Sequence, residues 1–272
     1  MKPLRIVVFV VLVLVLSLAL VWFRLNRKTE PPAVEEASVA ALVEPETPVR
    51  HPLPEPAAMP AETGEESIPA LPEPGQSDAF IQALLKQLFG ETAARELLSA
   101  PHFMPRMMII IDALPRRDLP LQHLPVAPPR GSFRVAASDD GEVIASANFA
   151  RYTPYVELAE SVSSRQLAQS YLRIYPLMEQ VYREMGYPEG HFHDRMIAVL
   201  DHLLATPRIE EPILLEEHIA RYRYADPQLE ALSAGQKLLI RMGSHNADRI
   251  KEVLNELRQQ LTVSSKPMDT RN

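Results

Sequence analysis

The chain has no cysteine, nine glycines and a single tryptophan in 272 residues. Without cysteine there is neither a disulfide framework nor a thiolate metal site, so a metal would need histidine and carboxylate ligands. The few glycines are not arranged as a phosphate-cradling loop. No G-x-S-x-G elbow, H-E-x-x-H pair or serine followed three places on by lysine occurs either. A Ser/His/Asp triad with members far apart in sequence would leave no such mark. A clustered basic stretch of the kind that binds nucleic acid is missing as well: residues 77–272 carry 22 basic and 25 acidic side chains. These gaps exclude whole classes of function and name none.

What is present falls into unlike segments. The formal charge of -7 divides into +5 over residues 1–29, -9 over 30–76 and -3 over the remainder. Within the first, Ile6 to Phe23 is a run of 18 residues whose only polar member is Ser17. As a helix it would measure about 27 Å, roughly the depth of a bilayer core. Basic residues flank both ends, and Trp22 sits where an interfacial aromatic belongs. Ser17-Leu18-Ala19 loosely matches a signal-peptide cleavage site. The run nevertheless continues through Phe23 into Arg24, Arg27 and Lys28, which reads as an uncleaved signal-anchor over residues 1–29. The flanking charges are nearly balanced, so orientation rests on the commoner arrangement, with the head outside.

Residues 30–76 hold eleven prolines, ten glutamates and no aromatic residue. Such a composition cannot bury enough apolar surface to offset ordering entropy, so a disordered linker is expected. Fully extended it would span on the order of 140 Å. Docking on a proline-recognising partner is the sharper alternative to a plain spacer.

Residues 77–263 are expected to form one helical globular head, with 264–272 as a flexible tail. Ser77, the Phe80, Leu84 and Leu88 spacing, and Gly90 bound a first helix. Met107, Ile110, Ile111 and Leu114 follow the i, i+3, i+4, i+7 pattern of a buried helical face. Prolines 115, 120, 125, 128 and 129 predict an extended strap, and "SFRVAASDDGEVIASA" one β-hairpin. Ser163 and Gln166 form a capping box for the longest helix, which Pro176 should kink and Gly186 end. "PILLEEHIARYRYADP" reads as extended, and Ile250, Val253, Leu254, Leu257 and Leu261 give the last helix a clear apolar stripe. The expected fold is mainly α with a minor β-hairpin.

Three clusters could carry chemistry or binding. In "GYPEGHFHDR", His191 and His193 stand at a spacing that could ligate a metal from an extended segment. Yet the core stripe of Met196, Val199, Leu200 and Leu203 starts directly afterwards. The stretch therefore reads as a helix start, with His193 near the cap and Asp194 in the first turn. Asp194, Asp201 and His202 are the candidates for acid–base work, against the plainer reading of structural ion pairs. Arg151, Tyr152 and Tyr155, and Arg221, Tyr222, Arg223 and Tyr224, mix rings and guanidinium groups. Exposed, they would suit stacking on a ligand; buried, they are core.

"RYTPYVELAE", "YLRIYPLMEQVYREMGYPEGHFHDR", "DHLLATP" and "YRYADPQLEALSAGQKLLIRMGSHNA" occur in an order that resembles a bacterial family of membrane-anchored proteins, catalogued as a domain of unknown function, DUF 3014. The resemblance covers about 77–262 and includes the anchor-plus-linker layout. It implies an envelope setting, no known activity and no catalytic residues to carry over. It also implies that asparagine is usual at the position of His193, a better N-cap and a poorer metal ligand.

The sequence thus predicts a single-pass protein of the bacterial inner membrane, held in the bilayer by Ile6 to Phe23, with a periplasmic head. That head is expected to bind an envelope protein or cell-wall component, without cofactor, nucleic acid or catalysis. Two other readings stay open: a tethered hydrolase using Asp194, Asp201 or His202, and a regulator facing the cytoplasm.

Overall fold

The computed structural model describes residues 48–54, 71–98, 100–218 and 221–262. The apolar run Ile6 to Phe23 and the tail 264–272 lie outside the described residues. Among those described, no helix is long and apolar enough to cross a membrane.

Helix α1, Asp78–Leu97, is two helical pieces joined at Gly90, whose φ of 80° and ψ of 163° break the spiral. The Asp78 carboxylate accepts the His102 and Phe103 backbone N–H groups at 2.7 and 3.0 Å, securing the start of α2, Phe103–Ala113. In α2, Met107, Met108, Ile110 and Ile111 are all fully buried, so this apolar helix forms the centre of the molecule. The proline-rich strap follows. It has one 3-10 turn at Leu121–His123 and tucks Leu124 and Val126 into the core.

Two strands, β1 (Val135–Ser138) and β2 (Gly141–Ile144), then form the expected hairpin, with Ser138 opposite Gly141. After it come α3 (Ala147–Ala150), α4 (Thr153–Glu160), α5 (Ser164–Glu184) and α6 (Phe192–Leu204). The Ser163–Gln166 capping box opens α5 as expected, and Pro176 lies inside a helix that runs on to Glu184.

The β content is larger than one hairpin. The segment read as merely extended folds into β3 (Leu214–His218) and β4 (Arg221–Tyr224). Strand β3 pairs antiparallel with β2 through Leu214 and Leu215, giving a four-stranded sheet in the order β1-β2-β3-β4. A lone hairpin is marginal in water, and the second one completes a surface that can bury Ile144, Leu215 and Tyr224.

The chain closes with α7 (Pro227–Ala231), α8 (Ala234–Arg241) and α9 (Ser244–Thr262). A second capping box, Ser233 with Gln236, opens α8. Asn246 lies inside the first turn of α9. Its side-chain amide donates to the Phe149 and Met242 carbonyls, both at 3.0 Å. Helix α9 buries Ile250, Leu254, Leu257 and Leu261 against α4, α5, α6 and α8. Two apolar clusters result, a large interhelical one and a smaller one beneath the sheet. Helix α8 feeds both, Leu238 and Leu239 entering the first and Ile240 the second.

Candidate functional site

Helix α6 begins where α5 turns back, and its first residues gather most of the ionisable groups singled out in the sequence. His191, not His193, occupies the N-cap position, and its side chain makes no capping bond. The helix is capped from outside by Glu179 of α5, whose Oε2 accepts the Phe192 N–H at 2.9 Å and the Tyr175 hydroxyl at 2.7 Å. Arg183 and His191 approach the other oxygen at 3.4 and 3.8 Å. A carboxylate at the positive end of a helix satisfies one of its orphan donors and opposes its dipole.

His193 points inward. It is 2 % exposed, and its Nδ1 lies 2.9 Å from the Tyr171 hydroxyl. Nε2 is buried, and among the described residues no group meets it in good hydrogen-bond geometry. Burial lowers its pKa to about 4; the Asp194 carboxylate, the nearby Leu261 carbonyl and Glu179 oppose that shift, and His51 adds to it. The same burial raises Tyr171 well above the ordinary tyrosine range. His191 and His193 therefore face different partners, and no group of three or more His, Asp or Glu among the described residues could hold a metal ion.

Each acid–base candidate is held by a different partner. Asp201 is gripped by Arg258 of α9 through Nε and, at 3.2 Å, Nη2. The His202 Nε2 lies 2.8 Å from the Ser233 hydroxyl, and burial, helped by the Arg195 charge, lowers its pKa. Next to Asp194, Arg195 donates to the Asp112 carboxylate at 2.9 Å and to the Asp112 carbonyl at 2.6 Å. Tyr187 and Arg116 reach the other carboxylate oxygen.

Asp194 holds something else. Its carboxylate accepts two successive backbone N–H groups from the linker, Arg50 at 2.9 Å and His51 at 2.7 Å. Residues 48–54, read in the sequence as part of a spacer, lie against the head there. His51 and Pro54 are half-buried, while Val49 and Leu53 stay 55 % and 40 % exposed.

The ring-and-arginine clusters divide. Tyr152, Tyr155 and Tyr224 are buried, as in the core alternative of the two readings. Tyr155 donates to the Ala127 carbonyl at 3.1 Å, and its burial pushes the hydroxyl up to about 12. Tyr224 donates to the Lys237 carbonyl at 3.0 Å, with the Arg241 guanidinium 5.4 Å from its ring centre. Arg151 ties the strap down through the Arg130 and Gly131 carbonyls at 3.1 and 2.8 Å. On the sheet, Arg221 pairs with His218 through the strand register. Tyr222 packs on Phe133 and donates to Glu142 at 3.3 Å, and Arg223 pairs with Glu216. Arg223 and Glu216 are direct cross-strand partners.

Residues 103–258 match the family described as "Protein of unknown function (DUF3014)". The chain belongs to this family. No curated protein and no solved structure matches it. The DUF3014 match takes in Asp112, Glu179 and Asp194, and leaves Arg50 and His51 outside. Sequence reading singled out Asp194 but missed both Glu179 and the linker pair. One signal was there to find: Arg50 is the only lysine or arginine, and His51 the only histidine, between residues 30 and 76.

Proposed function

We propose that this DUF3014 protein is a single-pass, membrane-tethered protein of the cell envelope whose helical head binds a protein or cell-wall partner and does no chemistry. The observation that carries the reading is the disposition of its ionisable side chains. Asp201, His202, His193 and Glu179 are each engaged in bonds that hold helices together. Asp194, the remaining carboxylate of the candidate set, grips a peptide backbone. Catalytic carboxylates need an approach for substrate and a proton to move, whereas bonds of this kind fix geometry.

Paired reporters fused after Asn272, one active only outside the cytoplasm and one only inside, test the placement. Chemical cross-linking in intact cells, and sedimentation of the detergent-solubilised chain with isolated cell-wall polymer, test the partner. The reading expects the outside reporter to be active, and a discrete cross-linked species or co-sedimentation that survives high salt. An active inside reporter, or neither form of capture, would overturn it.

A further inference from the structure

The Asp194 contact falls at a distinctive point of the linker sequence and is made through the backbone. Between residues 30 and 76 the chain has ten glutamates, one arginine and one histidine. The two adjacent residues whose N–H groups reach Asp194 are that arginine and that histidine. Prolines at 48, 52 and 54 flank them, so the backbone on either side is held near the extended form and little ordering entropy is lost on docking. Proline at either central position would remove a donor. A carboxylate taking two N–H groups forms charge-assisted bonds, roughly twice as strong as neutral ones.

We infer that the Asp194 surface at the start of α6 is a docking site for a bent, proline-flanked dipeptide that presents two successive backbone N–H groups, and that residues 48–54 of the same chain are its resident occupant. This goes beyond partner binding by the head: it identifies one receptor group and the peptide chemistry it takes. Tethering through residues 55–70 makes the docking intramolecular, which raises the effective concentration to the order of millimolar. Even a weak bimolecular affinity, on the order of 0.1 mM, then leaves the segment about nine-tenths docked. A partner peptide of the same pattern binds only by displacing it.

The absence of cysteine gives a clean test in the full-length chain in detergent micelles. A nitroxide on Val49→Cys, at an exposed position, reports the local motion of the segment. The docked segment gives a slow spectrum, independent of protein concentration over a hundredfold dilution. Asp194→Ala and Arg50→Pro each speed the label severalfold, while Glu189→Ala leaves it unchanged. Millimolar synthetic peptide PVRHPLP also releases it. Arg50→Pro lies outside the helical head, so it keeps the test valid if Asp194→Ala fails to fold. A label equally mobile in all variants overturns the proposal, and one that loosens on dilution means the segment docks between copies. Failure here leaves the topology and partner-capture results standing, so the two readings fall separately.

Discussion

His193 is the residue whose surroundings have the clearest consequence in solution. Its ring is neutral in the folded chain because burial lowers its pKa from 6.5 to about 4. The unfolded chain binds that proton near pH 6.5, so stability from this residue is complete above that pH. It declines as pH falls toward 4 and levels off below. At 1.36 kcal/mol per pH unit the loss between pH 7.5 and 4.5 is roughly 2–3 kcal/mol. Urea unfolding at pH 7.5, 5.5 and 4.5 should show that decline in the native chain. It should be smaller by about this amount in His193→Gln, which has no proton to gain. A difference between the two proteins that does not change with pH would mean the ring is not its source. The sequence placed a helix start at this stretch correctly and its cap wrongly. The capping oxygen belongs to Glu179, thirteen residues earlier on another helix. No local pattern reports a partner that arrives only through tertiary packing.

At the scale of elements, the boundaries with local chemistry were legible and the close approaches were not. The Ser163–Gln166 box and the break at Gly90 are where the sequence put them. The second hairpin was missed because its two-residue connection, between His218 and Arg221, is Ile-Ala and lacks the usual glycine or asparagine. Gly235, at the first turn of α8, was also silent. A Cβ there would stand 2.6 Å from Leu203 Cδ2, 2.9 Å from Leu114 Cδ2 and 3.2 Å from the Leu114 carbonyl oxygen. Both leucines are fully buried, and the Leu114 carbonyl is backbone that cannot turn aside. Gly235→Ala should therefore destabilise by about 1–3 kcal/mol, although alanine favours helix. Thermal unfolding checks this: a melting temperature equal to or above that of the native chain would show that α8 has room to shift.

Across the whole molecule, helix α8 couples the interhelical core to the cluster under the sheet. The two should therefore lose structure together. Leu254 on α9 is fully buried in the larger core. Leu254→Ala is expected to cost about 2–5 kcal/mol. Hydrogen exchange should then show the amides of β3 and β4 losing protection alongside those of α5, although Leu254 is not part of the cluster beneath the sheet. Loss confined to the helices would mean the sheet is an independent unit. The helical class was readable because 3.6-residue stripes recur along the head. The four-stranded assembly was not, because its pairing joins residues some seventy positions apart, such as Val143 and Leu214.

The linker contact also decides the order in which a mechanical load would be felt. A pull from the amino-terminal side meets Asp194 before it meets Leu71 and the buried Pro74, where the chain joins the core. Two hydrogen bonds part first, each to a charged acceptor and worth roughly 1.5–3 kcal/mol. Their rupture lets the load pass to Leu71 and Pro74 through residues 51–70, whose contour is at most about 60 Å at 3.1 Å per residue. The Asp194 clasp would act as a fuse, yielding and resetting while the head stays folded.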